Sequence, residues 1–253
     1  MKQILELDIE KCFDRIDQAD LMRRVIAPQA IKQGLWSCLK AGTNPEFPSQ
    51  GTPQGGVVSP LLANISLNGI EDIHNSIRYA DDMVCFIKPG ESADKVLEKI
   101  SEFLAIRGLR IKQAKTRVVS ATDGFNFLGW RFKVQNNGKF RCHPSEDNYK
   151  TFRQKVKKIV NSSNYGAKVK TGKLAPIVRG WRNYHKFCKM DGSRWSLWYI
   201  TNRTFKVFNK EKRQTRESAE KLVKQAFPTV PYSENKHVNV LGNKSPFDGD
   251  IAY

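Results

Sequence analysis

No run in the 253 residues is apolar for long enough to span a bilayer, which takes about 20 residues. The start, MKQILELDIEKCF, places acids where a secretory signal needs a continuous apolar stretch. Cysteine is scarce, with five residues at positions 12, 38, 85, 142 and 188. They are odd in number, widely spaced and without a CxxC pair, which excludes a disulfide framework and argues against zinc. Free thiols and a cytoplasmic setting are expected. None of the four histidines falls in a ligand-like cluster, and there is neither an internal repeat nor a low-complexity tract.

Acids are the other scarcity, and only in one half. Residues 1–130 carry 16 basic and 16 acidic side chains, whereas residues 131–253 carry 27 and 9, so the whole net charge of +18 lies in the second half. Scattered solubilising charge does not divide this way. The asymmetry points to a neutral body joined to a polyanion-binding extension. A ribosome-like or membrane-surface protein is the alternative reading of the same charge.

The local patterns divide at a similar place. Residues 4–9, ILELDI, alternate like a strand, with Asp8 near its end. GTPQGG at 51–56 is a loop, and a short helix carrying Leu61, Leu62, Ile65 and Leu67 follows Pro60. Ser92 caps a helix whose Val96, Ile100, Phe103, Leu104 and Arg107 share one face, and Gly108 stops it. Strand-like runs return at 117–121 and 125–134, with a hairpin turn at 136–138. From 146 the pattern is helical, amphipathic and basic, with a further short helix at 215–227. Beyond 228 proline and glycine mark an extended tail. The expectation is an α+β unit over 1–145, a small basic helical unit over 146–227 and a tail over 228–253.

IRYADDMVCF at 77–86 places Asp81 and Asp82 between two apolar runs. A tight turn explains adjacent aspartates without any function. Asp8, at the end of another strand, offers a second explanation. If the strands are neighbours, three carboxylates meet at one sheet edge and repel one another unless cations are bound. Hard oxygen donors of this kind suit Mg²⁺ alongside substrate phosphates. Two such ions roughly 4 Å apart can activate a 3′-hydroxyl and stabilise a leaving pyrophosphate.

LDIEKCFD, GTPQGGVVSPLLANI, RYADD, KTRVV and FNFLGWRF follow one another in the order and spacing of reverse transcriptase palm motifs. With the YADD variant and the later GWRNYHKFCKM, the chain resembles group II intron-encoded reverse transcriptase/maturases of the cyanobacterial type. The resemblance implies a palm followed by a helical thumb, or maturase domain. It also implies RNA-directed DNA polymerase activity, a splicing role on group II intron RNA, and an RNA template, DNA primer and deoxynucleoside triphosphates as partners.

Carried over by motif, Asp8, Asp81 and Asp82 match the catalytic, metal-binding triad, with the main-chain carbonyl of Ile9 as a further ligand for two Mg²⁺ ions, or Mn²⁺ in their place. Phe13 matches the steric gate against a ribose 2′-hydroxyl, with plain core packing as its alternative. Gln54 and Gly55 match the loop that touches the incoming nucleotide. Lys115 matches a lysine near the triphosphate, or is a surface lysine. Phe127, Leu128, Gly129 and Trp130 match the hairpin that grips the primer end, with plain packing as the alternative for most of those side chains. Arg179, Arg182, Lys186, Lys189, Arg194 and Arg203 are the expected RNA phosphate contacts. Core packing is the favoured reading of Trp181, Tyr184, Cys188, Trp195, Trp198 and Tyr199, ahead of base stacking.

The family pattern also includes amino-terminal fingers and, in this type, an HNH endonuclease after the tail, and neither is present in this sequence. Without fingers the chain alone is expected to extend a primer poorly, and to be helped by a separate fingers-containing chain. A non-catalytic RNA-binding maturase fragment, or a degenerate intron remnant, is the competing function. A nucleotide cyclase on a similar palm leaves the GTPQGG loop and the basic helices unexplained.

Overall fold

A computed structural model describes residues 2–41, 46, 49–53, 55–188, 197–211 and 214–231. It is a mixed structure of helices and antiparallel sheet, as the sequence implies. The chain forms two compact units, one running to Phe125 and the other starting at Asn126. The expected boundary at 145 follows the change in composition. The compact units divide earlier and group the strands after residue 125 with the helices.

In the first unit, β1 (Gln3–Asp8) lies between β3 (Asp82–Ile87) and β4 (Arg117–Ser120), and β2 (Ser76–Tyr79) flanks β3 at the edge. All pairs are antiparallel. Period-two alternation sends Leu5, Leu7, Met83, Cys85 and Ile87 to one face, where they bury against Leu62, Leu67, Ile100 and Leu104. Those partners come from α4 (Ser59–Leu67) and α5 (Ala93–Ala105), both close to the helices expected there. Ser92 caps α5 by accepting from the Lys95 amide at 3.4 Å.

Three helices that no motif announces, α1 (Cys12–Arg15), α2 (Gln18–Arg24) and α3 (Gln29–Lys40), fill the stretch after β1. Asp17 caps α2, accepting from the Asp20 amide at 2.6 Å.

The second unit holds a three-stranded sheet, β5 (Phe125–Phe127), β6 (Trp130–Val134) and β7 (Phe140–Pro144), in that order. The run 125–134, read as one strand from its composition, is broken at Leu128–Gly129. Both residues have positive φ, 49° and 76°, which makes a two-residue hairpin turn. The hairpin turn expected at 136–138 is present between β6 and β7.

Four helices follow: α6 (Glu146–Val160), α7 (Ala167–Tyr184), α8 (Trp198–Phe208) and α9 (Arg216–Ala226). Phe152, Val156, Leu174, Val178, Phe208 and Val223 form a core separate from the first. The tail from 232 onward lies outside the described residues. All five cysteines are free thiols. Among the described residues no helix is long and apolar enough to cross a membrane.

One buried ion pair ties the helices together. Lys170 on α7, 6% exposed at its side chain, faces Glu211 at 3.4 Å, and the other Glu211 oxygen accepts from the Ala167 amide at 2.7 Å. Removing one partner of such a pair strands the other charge. Glu211→Ala should therefore lower unfolding stability by about 2–3 kcal/mol, below the range for fully buried pairs because Glu211 is partly wet. Urea denaturation checks this, and a change under about 0.5 kcal/mol contradicts it.

Candidate active site

The alternation of β1 and β3 that buries their leucines and methionine sends Asp8 and Asp82 off the core face. The strand register then puts these two residues directly opposite each other. Asp81 sits in the turn between β2 and β3, preceded by Ala80 at a φ of 55°. A non-glycine residue rarely adopts that conformation, and Arg78 holds the turn in it. The Arg78 guanidinium donates to Ala80 O at 3.0 Å, to Asn64 Oδ1 at 3.0 Å and to Glu71 Oε1 at 2.6 Å. Arg78 is thus a positioning residue for the aspartates. Its signal in the sequence is a lone arginine in an apolar run, which needs a partner.

The three carboxylates act on one another. Partial desolvation raises the Asp82 carboxyl above its ordinary value first, then the charges of Asp81 and Asp8, while Lys115 pulls it down. The Lys115 ammonium is 2.6 Å from Asp8 Oδ2. A short 3₁₀ turn at Gln113–Lys115 carries it there, pinned to the end of β1 by the Lys112 amide donating to Asp8 O at 2.8 Å. Among the described residues no group of three or more His, Cys, Asp or Glu is arranged to hold a metal ion. The donor chemistry nevertheless suits a hard divalent cation. The carboxylates carry excess negative charge, and Lys115 already supplies one positive charge to it.

Ile9 is buried, directly after Asp8 and bridged to Ile111. Cys12 lies beneath the site, its thiol pushed up to about 12 by burial first and then by Asp81 and Asp8, against a lowering by Arg78. A thiol held neutral in this way is no nucleophile.

Phe13 is half-buried and packs against the core, and its main chain carries the loop matched to nucleotide contact. The Thr52 amide donates to Phe13 O at 2.7 Å and the Gly51 amide to Ile16 O at 2.8 Å. A side chain at Gly51 would meet Asp14 O at 2.7 Å, so only glycine allows this approach. Buried Gln18 donates to the carbonyls of Leu39, Gln50 and Gly51 at 3.1–3.3 Å, a support that no sequence motif signals. Gly55 is exposed, with a φ of 81° and nothing within 4 Å of an added Cβ. Gln54 lies outside the described residues.

In the second unit, the residues matched to the primer grip form the Leu128–Gly129 turn and its flanks. Tyr184 donates its hydroxyl to Leu128 O at 2.5 Å. A Cβ on Gly129 would meet Asn148 Nδ2 at 2.7 Å. The Asn148 carbonyl oxygen accepts from Trp181 Nε1 at 2.7 Å and lies 3.1 Å from His185 Nε2. The Trp130 ring meets His185 edge-on at 4.5 Å. Side chains from α6 and α7 therefore set the turn, although its own sequence reads as strand.

Of the residues expected to meet phosphate, Arg179 and Arg203 are exposed. Lys186 is half-buried, 5.3 Å over the Phe187 ring. Arg182 is half-buried, its Nε is shut away from water without a hydrogen-bond partner, and burial lowers its pKa. Lys189 and Arg194 lie outside the described residues, as does Trp195. Core packing describes Trp181, which stacks on Phe152 at 4.4 Å, and Cys188. It does not describe Trp198 or Tyr199, which are exposed because α8 buries Ile200, Thr204 and Phe208 instead.

A profile described as reverse transcriptase (RNA-dependent DNA polymerase) matches residues 2–132, and one described as group II intron, maturase-specific domain matches residues 149–226. The chain belongs to the group II intron reverse transcriptase/maturase family. Maturase-like protein 1 of Euglena gracilis is 36% identical over 245 residues, covering 94% of this chain and 53% of the relative. The group II intron-encoded protein LtrA of Lactococcus lactis subsp. cremoris is 40% identical over 74 residues, 26% of this chain and 12% of LtrA. The chain spans about half the length of the Euglena relatives it matches. Apo telomerase from Candida tropicalis shares the fold, with a TM-score of 0.51 at 14% identity over 89% of this chain and 45% of that one.

A carboxyl with a raised folded-state pKa costs stability when ionised, and the cost disappears as pH falls through that value. In metal-free buffer at pH 7, Asp82→Asn should unfold at a higher temperature than the parent. The gap should close as pH falls to the ordinary value of 3.8. A variant less stable at pH 7 contradicts this.

His185 has the opposite sense. Burial lowers it from 6.5 to about 4, so the unfolded chain takes up the proton first and stability falls as pH drops across that interval. His185→Gln should flatten that part of the stability–pH curve, read by denaturant melts at half-unit steps. An unchanged slope contradicts it.

Proposed function

We propose that this chain provides the catalytic palm of an RNA-directed DNA polymerase and, through its basic helical unit, an intron-RNA-binding surface used in splicing. The observation that carries the reading is the Asp8–Asp82 register pair with Asp81 in the adjoining turn, inside the segment matched to reverse transcriptases. Asp8, Asp81, Asp82 and the Ile9 carbonyl would hold Mg²⁺, which when bound supplies activation of a primer 3′-hydroxyl and stabilisation of leaving pyrophosphate.

The chain's own residues would do the rest. Lys115, already beside Asp8, is placed to neutralise a triphosphate. The exposed Gly55 backbone lets a base pair approach closely, and the Phe13 ring stands as the gate against a 2′-hydroxyl. The Leu128–Gly129 turn, fixed by Tyr184 and Asn148, would grip the primer end. Partners are an RNA template, a DNA primer and deoxynucleoside triphosphates. The match to the maturase-specific domain and the name of the Euglena relatives support intron RNA as the second ligand.

The competing reading, an RNA-binding maturase without polymerase activity, is favoured by one observation. The Lys115 ammonium, 2.6 Å from Asp8 Oδ2, occupies one oxygen of the acid that a metal would need.

The test is deoxynucleotide incorporation on a primed RNA template. It is run with the chain alone and with a separately expressed fingers fragment from a close relative. Synthesis should be poor alone, rise with fingers, and be abolished by Asp81→Ala while RNA affinity is nearly unchanged. Failure with fingers docked selects the non-catalytic maturase. With about five to eight phosphate contacts, log K against log[salt] should slope roughly −4 to −7 for RNA binding. A slope shallower than about −2 removes the polyanion surface from the proposal.

A further inference from the structure

α8 leaves two large rings in water. Trp198 and Tyr199 are 62% and 76% exposed, and their rings meet edge to face at 4.9 Å and 83°. The helix needs neither for packing, since Ile200, Thr204 and Phe208 supply its buried stripe. Tyr199, Arg203 and Lys206 fall at helical positions i, i+4 and i+7, so one ring and two cations line the same stripe over about 10 Å. Both cations are exposed, α8 contains no acid, and neither cation is ion-paired among the described residues. Lys210 is exposed in the turn after α8.

Arg203 reaches only the neutral Asn161 Oδ1, at 3.5 Å; aromatic faces beside cations without an acidic partner among the described residues suit a partner with flat rings and regularly spaced negative charge. An acidic protein surface matches the cations and leaves the rings without a counterpart. A duplex offers phosphates and keeps its base faces stacked inside. A single strand offers both.

We propose that Trp198 and Tyr199 form a stacking platform for unpaired bases of a single-stranded nucleic acid, with its phosphates running along Arg203 and Lys206. The inference rests on the reading of the helical unit as an RNA-binding surface and adds to it a preference for unpaired segments. Single-stranded RNA is the occupant, in keeping with that reading, and single-stranded DNA, which shares the chemistry, is tested against it.

The experiment measures binding of the full chain to a 12-nucleotide single-stranded RNA, the DNA of the same sequence, and the corresponding RNA duplex. Trp198→Ala with Tyr199→Ala should weaken binding to the single-stranded RNA by about ten-fold or more, and to the duplex by less than two-fold. Loss confined to the DNA strand overturns the assignment to RNA. Trp198→Phe with Tyr199→Phe should retain most of the single-strand affinity, which separates loss of a ring face from loss of fold. Arg203→Gln with Lys206→Gln should make the single-strand salt slope shallower by about 1.4. Unchanged single-strand binding in the alanine variant, or equal loss on single strand and duplex, overturns the platform while leaving RNA binding intact. Absence of RNA binding by the parent chain overturns the RNA-binding reading itself.

Discussion

Asp8 and Asp82 face each other across β1 and β3, and like charges directly opposite weaken an antiparallel ladder. The arrangement of the first unit follows from tolerating that pair. Leu5 opposite Cys85 and Leu7 opposite Met83 bury their side chains on the core face of the same ladder, so apolar burial offsets the repulsion at its end. Asp8 pairs with β3 on one side and its carbonyl accepts from the Lys112 amide, which leaves its backbone little freedom to move away. Lys115 then supplies the charge that the pair lacks, at the cost of holding one Asp8 oxygen.

Among the described residues, non-glycine backbone with positive φ occurs at Lys11, Ala80 and Leu128, each within a stretch matched to a family motif. Such conformations cost on the order of 1–3 kcal/mol each and persist where surrounding contacts over-determine them. Arg78 grips the carbonyl of Ala80, and Tyr184 grips that of Leu128. The Lys11 carbonyl accepts from the amides of Asp14 and Arg15. In each case a hydrogen bond to the strained residue's own carbonyl fixes where the next side chain begins. The aspartates and the hairpin turn are therefore set by arginine and tyrosine side chains lying outside the turns themselves.

The two units answer different physical demands. The first gathers carboxylates at one edge of a sheet whose other face is an apolar core. The second buries a small apolar core under a strongly basic exterior; Lys170 enters its interior paired with Glu211, whereas Arg182 is half-buried with its Nε unpartnered. Burial keeps His185 neutral, with its Nε2 3.1 Å from Asn148 Oδ1, which makes it a structural element of that unit.

Sequence alone determined what is local or periodic. Alternation located β1 and the strands around YADD, helical spacing located α4 to α9 to within a turn or two, and charge counting placed the basic surface in the second half. Motif order indicated the family, which the profile matches then showed. Tertiary structure decided what depends on partners distant in the chain. The register of β1 against β3 makes Asp8 and Asp82 neighbours across more than seventy residues, and no local signal encodes it. Leu128 turns because Tyr184 and Asn148 lie against it, although its own neighbours read as strand. Trp198 and Tyr199 look like core from their spacing and are exposed, because a helix has one buried stripe and Ile200, Thr204 and Phe208 occupy it. Composition records which side chains are apolar; which face of a helix meets the core is settled only when the other helices arrive.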